Sequence, residues 1–349
     1  MIDLLTERQD DILRLIIQNY TITGQPTGSK KLMEDGIQAS SATIRNDMKS
    51  LEEDGLLTKT HSSSGRIPSV PGYRYYVDHL LSPLEISEKE VQWIRHSFKE
   101  EFHEINDIIQ QSATMLSQLT SYTALSLGPD VKDRKLTGFR VIPLNRRQVI
   151  AIIVTDKGNV ESKVFSIPKY VESEDLEKIV RIINDKLIGE PLLTVYHRLR
   201  TEIPMILHKY FQSTEGILDL FDLMLNNIFE EKIFVGGRMN ILNFDQQTDV
   251  HQLKSMYTLM KNSDQLNQLL IPHDEDLQIR IGSELGNDLL GNMSLIQANY
   301  EIEGHGKGLI ALLGPTSMPY SKMVGLIRVI RAELEETLAD YYRSLDSIS

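Results

Sequence analysis

Cysteine is absent from all 349 residues, which excludes a disulfide scaffold, a thiolate zinc site and a cysteine nucleophile. Positive charge is in deficit: 37 Lys and Arg face 49 Asp and Glu, a formal net charge of −12. That balance argues against bulk attraction to a polyanion, so any contact with nucleic acid must be local. Long hydrophobic runs are missing as well. Apolar stretches such as Val149–Val154 fall far short of the roughly 20 residues that a membrane-spanning helix needs. The opening MIDLLTERQDD is acidic and has no basic region followed by an apolar core, so it does not read as a signal peptide. With 41% hydrophobic and 25% charged residues, the expectation is a soluble, cytoplasmic, globular chain. Its length predicts two or three domains.

Catalytic patterns are equally scarce. GHGKG and VGG match neither a phosphate-binding loop nor a dinucleotide fingerprint, and GHGKG reads as a hairpin turn. Ser62–Ser64 do not form a nucleophile elbow. The nine histidines are scattered, and His96 and His103 have no pattern of ligands to complete a metal site. Acid pairs such as Glu100-Glu101 and Glu230-Glu231 read as solvated helix faces. No enzyme activity, cofactor or metal is expected.

What is present is a sequence of periodicities. Thr6-Glu-Arg-Gln9 is a capping box opening a helix with Ile12, Leu13, Ile16, Ile17 and Tyr20 at helical spacing. A second short helix begins at Thr27 or Ser29 and stops at Gly36, and a third runs from Ser40 to Gly55. Leu56–Lys59 and the residues after Arg66 read as two short strands. Three helices and a hairpin are the order of a winged helix-turn-helix, whose third helix lies in the major groove.

A wheel at about 100° per residue puts Ile44, Met48 and Leu51 on the third helix's inner face. Ala42, Asn46, Lys49 and Glu53 fall opposite, flanked by Arg45 and Ser50. Arg can bond guanine and Asn adenine in bidentate fashion, while Ser40, Ser41 and Thr43 can bond phosphates with the backbone amides there. On the wheel alone, a solvated amphipathic face is the commoner meaning. Residues 27–75 carry seven Lys/Arg and six Asp/Glu, so any DNA signal lies in arrangement rather than total charge.

Ser82-Pro83 marks a boundary, and Ser87-Glu-Lys-Glu90 opens a long helical region with an apolar stripe from Val91 to Leu119. Beyond Tyr122 the period becomes two in TALSL, KLTGFRVIPL and QVIAIIVT. Residues 173–230 read as consecutive helices, KIFVGGRMNIL as a brief strand, and the chain to about Leu270 as helix again. LQIRIGSEL and MSLIQANYEIEGHGKGLIALLG are strands, the second a hairpin turning at Gly304–Gly306, and Tyr320–Ser344 is a last helix. There is no internal repeat.

TERQDDILRLIIQNYTITGQPTGSKKL, SSATIRNDMKSLEEDGLL and HSSSGRIPSVPGYRYYVD together resemble the N-terminal domain of the HrcA family, bacterial heat-inducible repressors of chaperone genes. IRIGSE, GLIALLGP and MPYSKM extend the likeness more loosely. The resemblance implies an α+β chain: a winged helix-turn-helix over 1–82, a discontinuous GAF-like α/β domain with antiparallel sheet over 83–165 and 272–349, and an inserted, mostly helical dimerising domain over 166–271. It implies a homodimer that binds double-stranded DNA at an inverted-repeat operator, and the GroE chaperonin as the partner that keeps the repressor active. The expected DNA contacts are Ser40, Ser41, Ala42, Thr43, Arg45, Asn46 and Lys49 on the third helix, and Lys59, His61, Ser63, Gly65 and Arg66 on the wing, with Gly65-Arg66 as its tip. The apolar stripes after residue 170 are the candidate dimer surface. Where the family reads P-H-T-S-A-G-R-I-P-T, this chain has Thr60, Ser62, Ser64 and Ser69. Ser317 replaces a frequent arginine, which puts any contact of that arginine in doubt. The alternative is a regulator whose GAF-like domain senses a small molecule.

Overall fold

The computed structural model describes residues 5–59, 65–99, 102, 104–129, 134–145, 147–156, 160–166, 173–207, 233–243, 250–270 and 275–346. The chain divides into two compact units. Met1–Leu127, Ile233–Tyr300 and Leu309–Thr337 form the first; Gly128–Lys232, Glu301–Gly308 and Leu338–Ser349 form the second.

The first unit opens with α1 (Glu7–Thr23), α2 (Ser29–Glu34) and α3 (Ser41–Glu53). The Thr6 capping box is present, and α1 ends at Gly24, whose positive φ of 64° lets its amide turn back to the Tyr20 carbonyl. Ile12, Leu13, Ile16 and Ile17 of α1 are buried, as are Leu32 of α2 and Ile44, Met48 and Leu51 of α3. Full burial of each such side chain contributes about 1.5–3 kcal/mol, so this small core holds the three helices in place. β1 (Leu57–Lys59) and β2 (Arg66–Pro68) pair antiparallel, with Lys59 opposite Arg66. α4 (Val70–Tyr75) follows and widens directly into a π-helical turn, Tyr76–Leu80.

The helical region expected between Glu88 and Leu119 is two helices, α5 (Glu88–Ser97) and α6 (Ile105–Thr120). Its apolar stripe is nevertheless used, since Ile94, Phe98, Ile105, Ile109 and Leu116 are all buried. β3 (Thr123–Leu127) then leads out of the first unit.

In the second unit β4 (Leu136–Asn145), β5 (Gln148–Thr155) and β6 (Val160–Ser166) form a three-stranded antiparallel sheet in that order. β6 goes unnoticed in the sequence because VESKVFS mixes charges among its valines. α7 (Ser173–Leu187), α8 (Leu192–Arg200) and α9 (Glu202–Leu207) follow. Phe139, Val149, Ala151 and Ile153 of the sheet share one core with Ile179, Ile183 and Leu187 of α7 and Leu192, Val195 and Leu199 of α8. The strands before residue 166 and the helices after it share this core, within the compact unit that includes Gly128–Lys232. The apolar stripes of α7 and α8 are consumed by their own chain's core and do not offer a dimer surface. Helical expectations for residues 208–230 lie outside the described residues.

The chain returns through β7 (Ile233–Gly236), α10 (Val250–Leu259) and α11 (Ser263–Leu269) to β8 (Leu277–Ile281), β9 (Met293–Ile302), β10 (Gly306–Pro315) and α12 (Tyr320–Asp346). The strand expected across KIFVGGRMNIL covers only its first part, and Arg238–Asn243 is a 3₁₀ turn. GSEL after β8 is likewise 3₁₀. The five-stranded sheet has the order β7-β3-β10-β9-β8. Leu309–Leu313 are all buried, the continuous apolar reading of a strand covered on both faces. Leu309, Ala311 and Leu313 face a core with Leu259 and Leu266, while on α6's side Ser112 Oγ donates to Ser126 Oγ of β3 at 3.0 Å. The whole is α+β. Among the described residues, no helix is long and apolar enough to cross a membrane.

Candidate nucleic-acid interface

α3 owes its start to Ser40, whose Oγ accepts from the Thr43 amide at 3.1 Å and lies 2.9 Å from Thr43 Oγ1. Its inner face is fixed by the buried Ile44, Met48 and Leu51. The opposite face therefore points outward: Ala42, Arg45, Asn46 and Lys49 are exposed, with Ser40 exposed and Ser41 and Thr43 half-buried beside them. Arg45 Nε reaches Ser29 Oγ of α2 at 3.3 Å, and Ser29 Oγ lies 2.9 Å from Ser41 Oγ. These contacts tie the first turn of α3 to the start of α2.

The carboxylates of α3 are each held by a cation. Arg8 of α1 grips Asp47 at 2.7 Å. Arg66 grips Glu52 at 2.7 Å, and Lys49 lies 3.2 Å from Glu53. On α2, Lys31 bonds Asp35 at 2.6 Å. Hydrogen bonds from Lys31, then Asn19, hold the Asp35 carboxyl below the usual carboxylate range. Among the described residues of this domain, Lys30, Arg45 and Lys59 have no carboxylate partner. The three carboxylates of α3 and Asp35 are thus ion-paired, while Lys30, Arg45 and Lys59 remain exposed.

The wing differs from expectation. Gly65 and Arg66 are not its tip. Gly65 is buried, and a Cβ there would lie 2.9 Å from Pro26 Cβ, so glycine is required by close approach. Arg66 is a strand residue whose amide and carbonyl pair with Thr27, both at 2.9 Å. Its guanidinium turns inward to Glu52, with 14% of the side chain exposed. Both residues hold the wing onto the helices and present little to a partner. Lys59, opposite Arg66, is exposed. His61 and Ser63 lie outside the described residues. The structure thus gathers Ser40, Ser41, Ala42, Thr43, Arg45, Asn46 and Lys49 on one surface. It adds Lys30 of α2, which the sequence reading misses. The only signal for it was its place in GSKKL, on the helix that crosses the backbone in this motif.

Known proteins place this arrangement. Residues 8–69 match the DeoR-like helix-turn-helix domain, and residues 106–324 match the HrcA protein C terminal domain. The heat-inducible transcription repressor HrcA of Tetragenococcus halophilus is 71% identical over 344 residues, covering 99% of each chain. That of Enterococcus faecalis (strain ATCC 700802 / V583) is 68% identical over 345 residues, covering 98% of this chain and 99% of the other. A crystal structure at 2.2 Å resolution, described as a hypothetical protein, superposes with a TM-score of 0.59 at 24% identity, over 96% of this chain and 98% of that one. The last likeness speaks for the fold; the sequence likenesses span the chain from end to end, and by them this chain belongs to the HrcA family of heat-inducible transcription repressors.

Proposed function

We propose that this repressor acts as a homodimer on an inverted-repeat operator, each protomer laying α3 in the major groove of one half-site. The observation that carries the reading is the outward face of α3, where every carboxylate is ion-paired while Arg45 and Asn46 stand exposed. Arg45 and Asn46 read base edges, Ala42 permits close approach, and Ser40, Ser41 and Thr43 with Lys30 and Lys49 hold phosphates. Lys59, with His61 and Ser63, meets the backbone beside the groove. The regulated genes are those of the chaperone operons, the GroE chaperonin maintains the active repressor, and the protein works in the cytoplasm. The five-stranded sheet and its helices make up the GAF-like domain.

The proposed dimer surface is the outer face of the β4-β5-β6 sheet. Ile142, Leu144, Val160 and Val164 are 47–60% exposed. Ile142, Ile150 and Val164 form one row across it, and Val154 and Val160 lie in another. An apolar sheet face of this kind is what a partner copy covers.

The test is an anisotropy titration of an inverted-repeat duplex from upstream of the organism's own chaperone operons, against a scrambled duplex, at several salt concentrations. Tight binding to the first alone is expected; equal affinity for both would overturn the reading. Repeating it with chaperonin should raise the active fraction.

A further inference from the structure

Three segments far apart in sequence, GYRYYVD (Gly72–Asp78), IRIGSE (Ile279–Glu284) and MPYSKM (Met318–Met323), meet in one place. None of them belongs to the DNA-contacting surface. Arg74 stands at the centre. Its Nη1 donates to the Ile279 carbonyl at 2.8 Å and to Glu284 Oε2 at 3.1 Å. Its Nε and Nη2 grip the two oxygens of Asp78 at 3.1 and 2.7 Å. Glu284 is itself fixed, since Oε2 accepts from the Ile281 amide at 2.8 Å. Beside them Tyr73 is buried with its ring 6.0 Å from that of Tyr320. Tyr76 Oη lies 3.0 Å from Ser321 Oγ, and the Leu84 amide donates to the Ser321 carbonyl at 2.9 Å.

The other side of the same helix is built into the winged helix. Tyr75 Oη donates to Asp10 of α1 at 3.2 Å, and Ser69 Oγ donates to the Gly55 carbonyl at 2.5 Å. Gly72 lies so close to β1 that a Cβ there would be 2.1 Å from the Leu56 carbonyl oxygen. α4 and the π-helical turn after it therefore bond the DNA-binding domain on one side and the sheet domain on the other. Such wider turns occur often at functional sites.

We infer that this joint sets the position of the recognition helix on the sheet domain, and that Arg74 is its positioning residue. A guanidinium answering one carbonyl and two carboxylates fixes direction as well as distance. Arg74 and its acids are all partly exposed, with side chains 28%, 47% and 39% accessible for Arg74, Asp78 and Glu284. Pairs of that kind contribute little to global stability. Their loss loosens orientation before it unfolds the domain. In a dimer on two half-sites, orientation decides whether both recognition helices reach their grooves at once. A joint that holds them prepaid in the right place strengthens the full operator without touching a base.

The inference rests on the operator-binding reading and is tested with the full-length protein. The probes are the inverted repeat that the wild type selects from a random duplex pool, and a duplex carrying one half-site. Arg74→Ala is expected to weaken the full operator about tenfold or more while changing half-site affinity less than twofold. Glu284→Gln, which keeps an oxygen for the Ile281 amide, should act in the same direction and guards against a folding defect in the first variant. Reversing the pair, Arg74→Glu with Glu284→Arg, should recover part of the loss relative to Arg74→Glu alone. Equal loss on both probes, or no loss on either, would overturn the role of Arg74. Failure of the wild type to select any inverted repeat would instead refute the operator reading.

Discussion

Arg66 Nη2 on the second wing strand lies 2.7 Å from Glu52 Oε2 near the end of the recognition helix. The second wing strand is therefore tied to α3, and a residue that looks from its motif like a DNA-reaching arginine is a brace. Both partners are mostly buried, at 14% and 32% side-chain exposure, so the pair is better shielded than a surface ion pair. Arg66→Ala and Glu52→Gln should each destabilise the folded protein by about 1 kcal/mol, read from urea melts. Each should also weaken every duplex alike. The Glu52 variant discriminates: a phosphate-contacting Arg66 would bind DNA more tightly once released from its acid, whereas a brace makes binding worse.

Ser40 combines two duties that substitution can separate. Its Oγ caps α3 through the Thr43 amide, and its place at the helix start is where a phosphate would approach. Ser40→Ala should cost about 1 kcal/mol of stability, the usual loss of a cap. Ser40→Asp keeps a capping oxygen and so should melt near the wild type, yet it sets a negative charge against the backbone and should weaken DNA binding more than Ser40→Ala does. Thermal melts and anisotropy on the same samples check both halves. If Ser40→Asp binds as well as the wild type, no phosphate sits there.

The winged helix was legible because its information is local. Caps at Thr6 and Ser40, the spacing of Ile44, Met48 and Leu51, and the turn glycines each act within a few residues, and the structure has them where the pattern puts them. The outward face of α3 follows from the inward one. What could not be read is whatever depends on partners distant in sequence. Arg66 as an isolated letter reads as reach; only Glu52 and Thr27 make it a brace. GYRYYVD and IRIGSE are visible as motifs, but Arg74 and Glu284 lie 210 residues apart, and no periodicity joins them. The shared core of the second unit is hidden from the sequence for a similar reason. A change of period at residue 166 marks a change of element, and only the shared core of Phe139, Ile153 and Ile183 reveals that both sides fold together.

The exposed rows on the β4-β5-β6 sheet give the dimer reading a direct test. Ile150 lies between Ile142 and Val164 on the two neighbouring strands. An aspartate at Ile150 would have to be desolvated in any interface covering that face, at a cost of several kcal/mol. It leaves the inner core of Val149, Ala151 and Ile153 untouched. Ile150→Asp should shift the sedimentation profile from dimer to monomer at micromolar concentration and make operator binding steeply concentration-dependent. A dimer as tight as the wild type's would place the interface elsewhere.

Arg45 and Lys49 are one turn apart on the same exposed face of α3, yet they should behave differently. Arg45 has no carboxylate partner among the described residues, and its Nε contact with Ser29 holds the guanidinium over the first turn. A base-reading arginine confers about 1–3 kcal/mol of discrimination. Arg45→Ala should therefore narrow the gap between operator and scrambled duplex by roughly 10- to 100-fold, mostly through weaker operator binding. Among the described residues Lys49 is paired only with the exposed Glu53, which yields readily to a phosphate. Lys49→Ala should weaken both duplexes alike and reduce the magnitude of the slope of log affinity against log salt by about one per protomer. The two substitutions thus differ in kind, one changing which DNA is bound and the other how strongly any DNA is bound. If Arg45→Ala instead acts like Lys49→Ala, the guanidinium holds the backbone and base reading passes to Asn46.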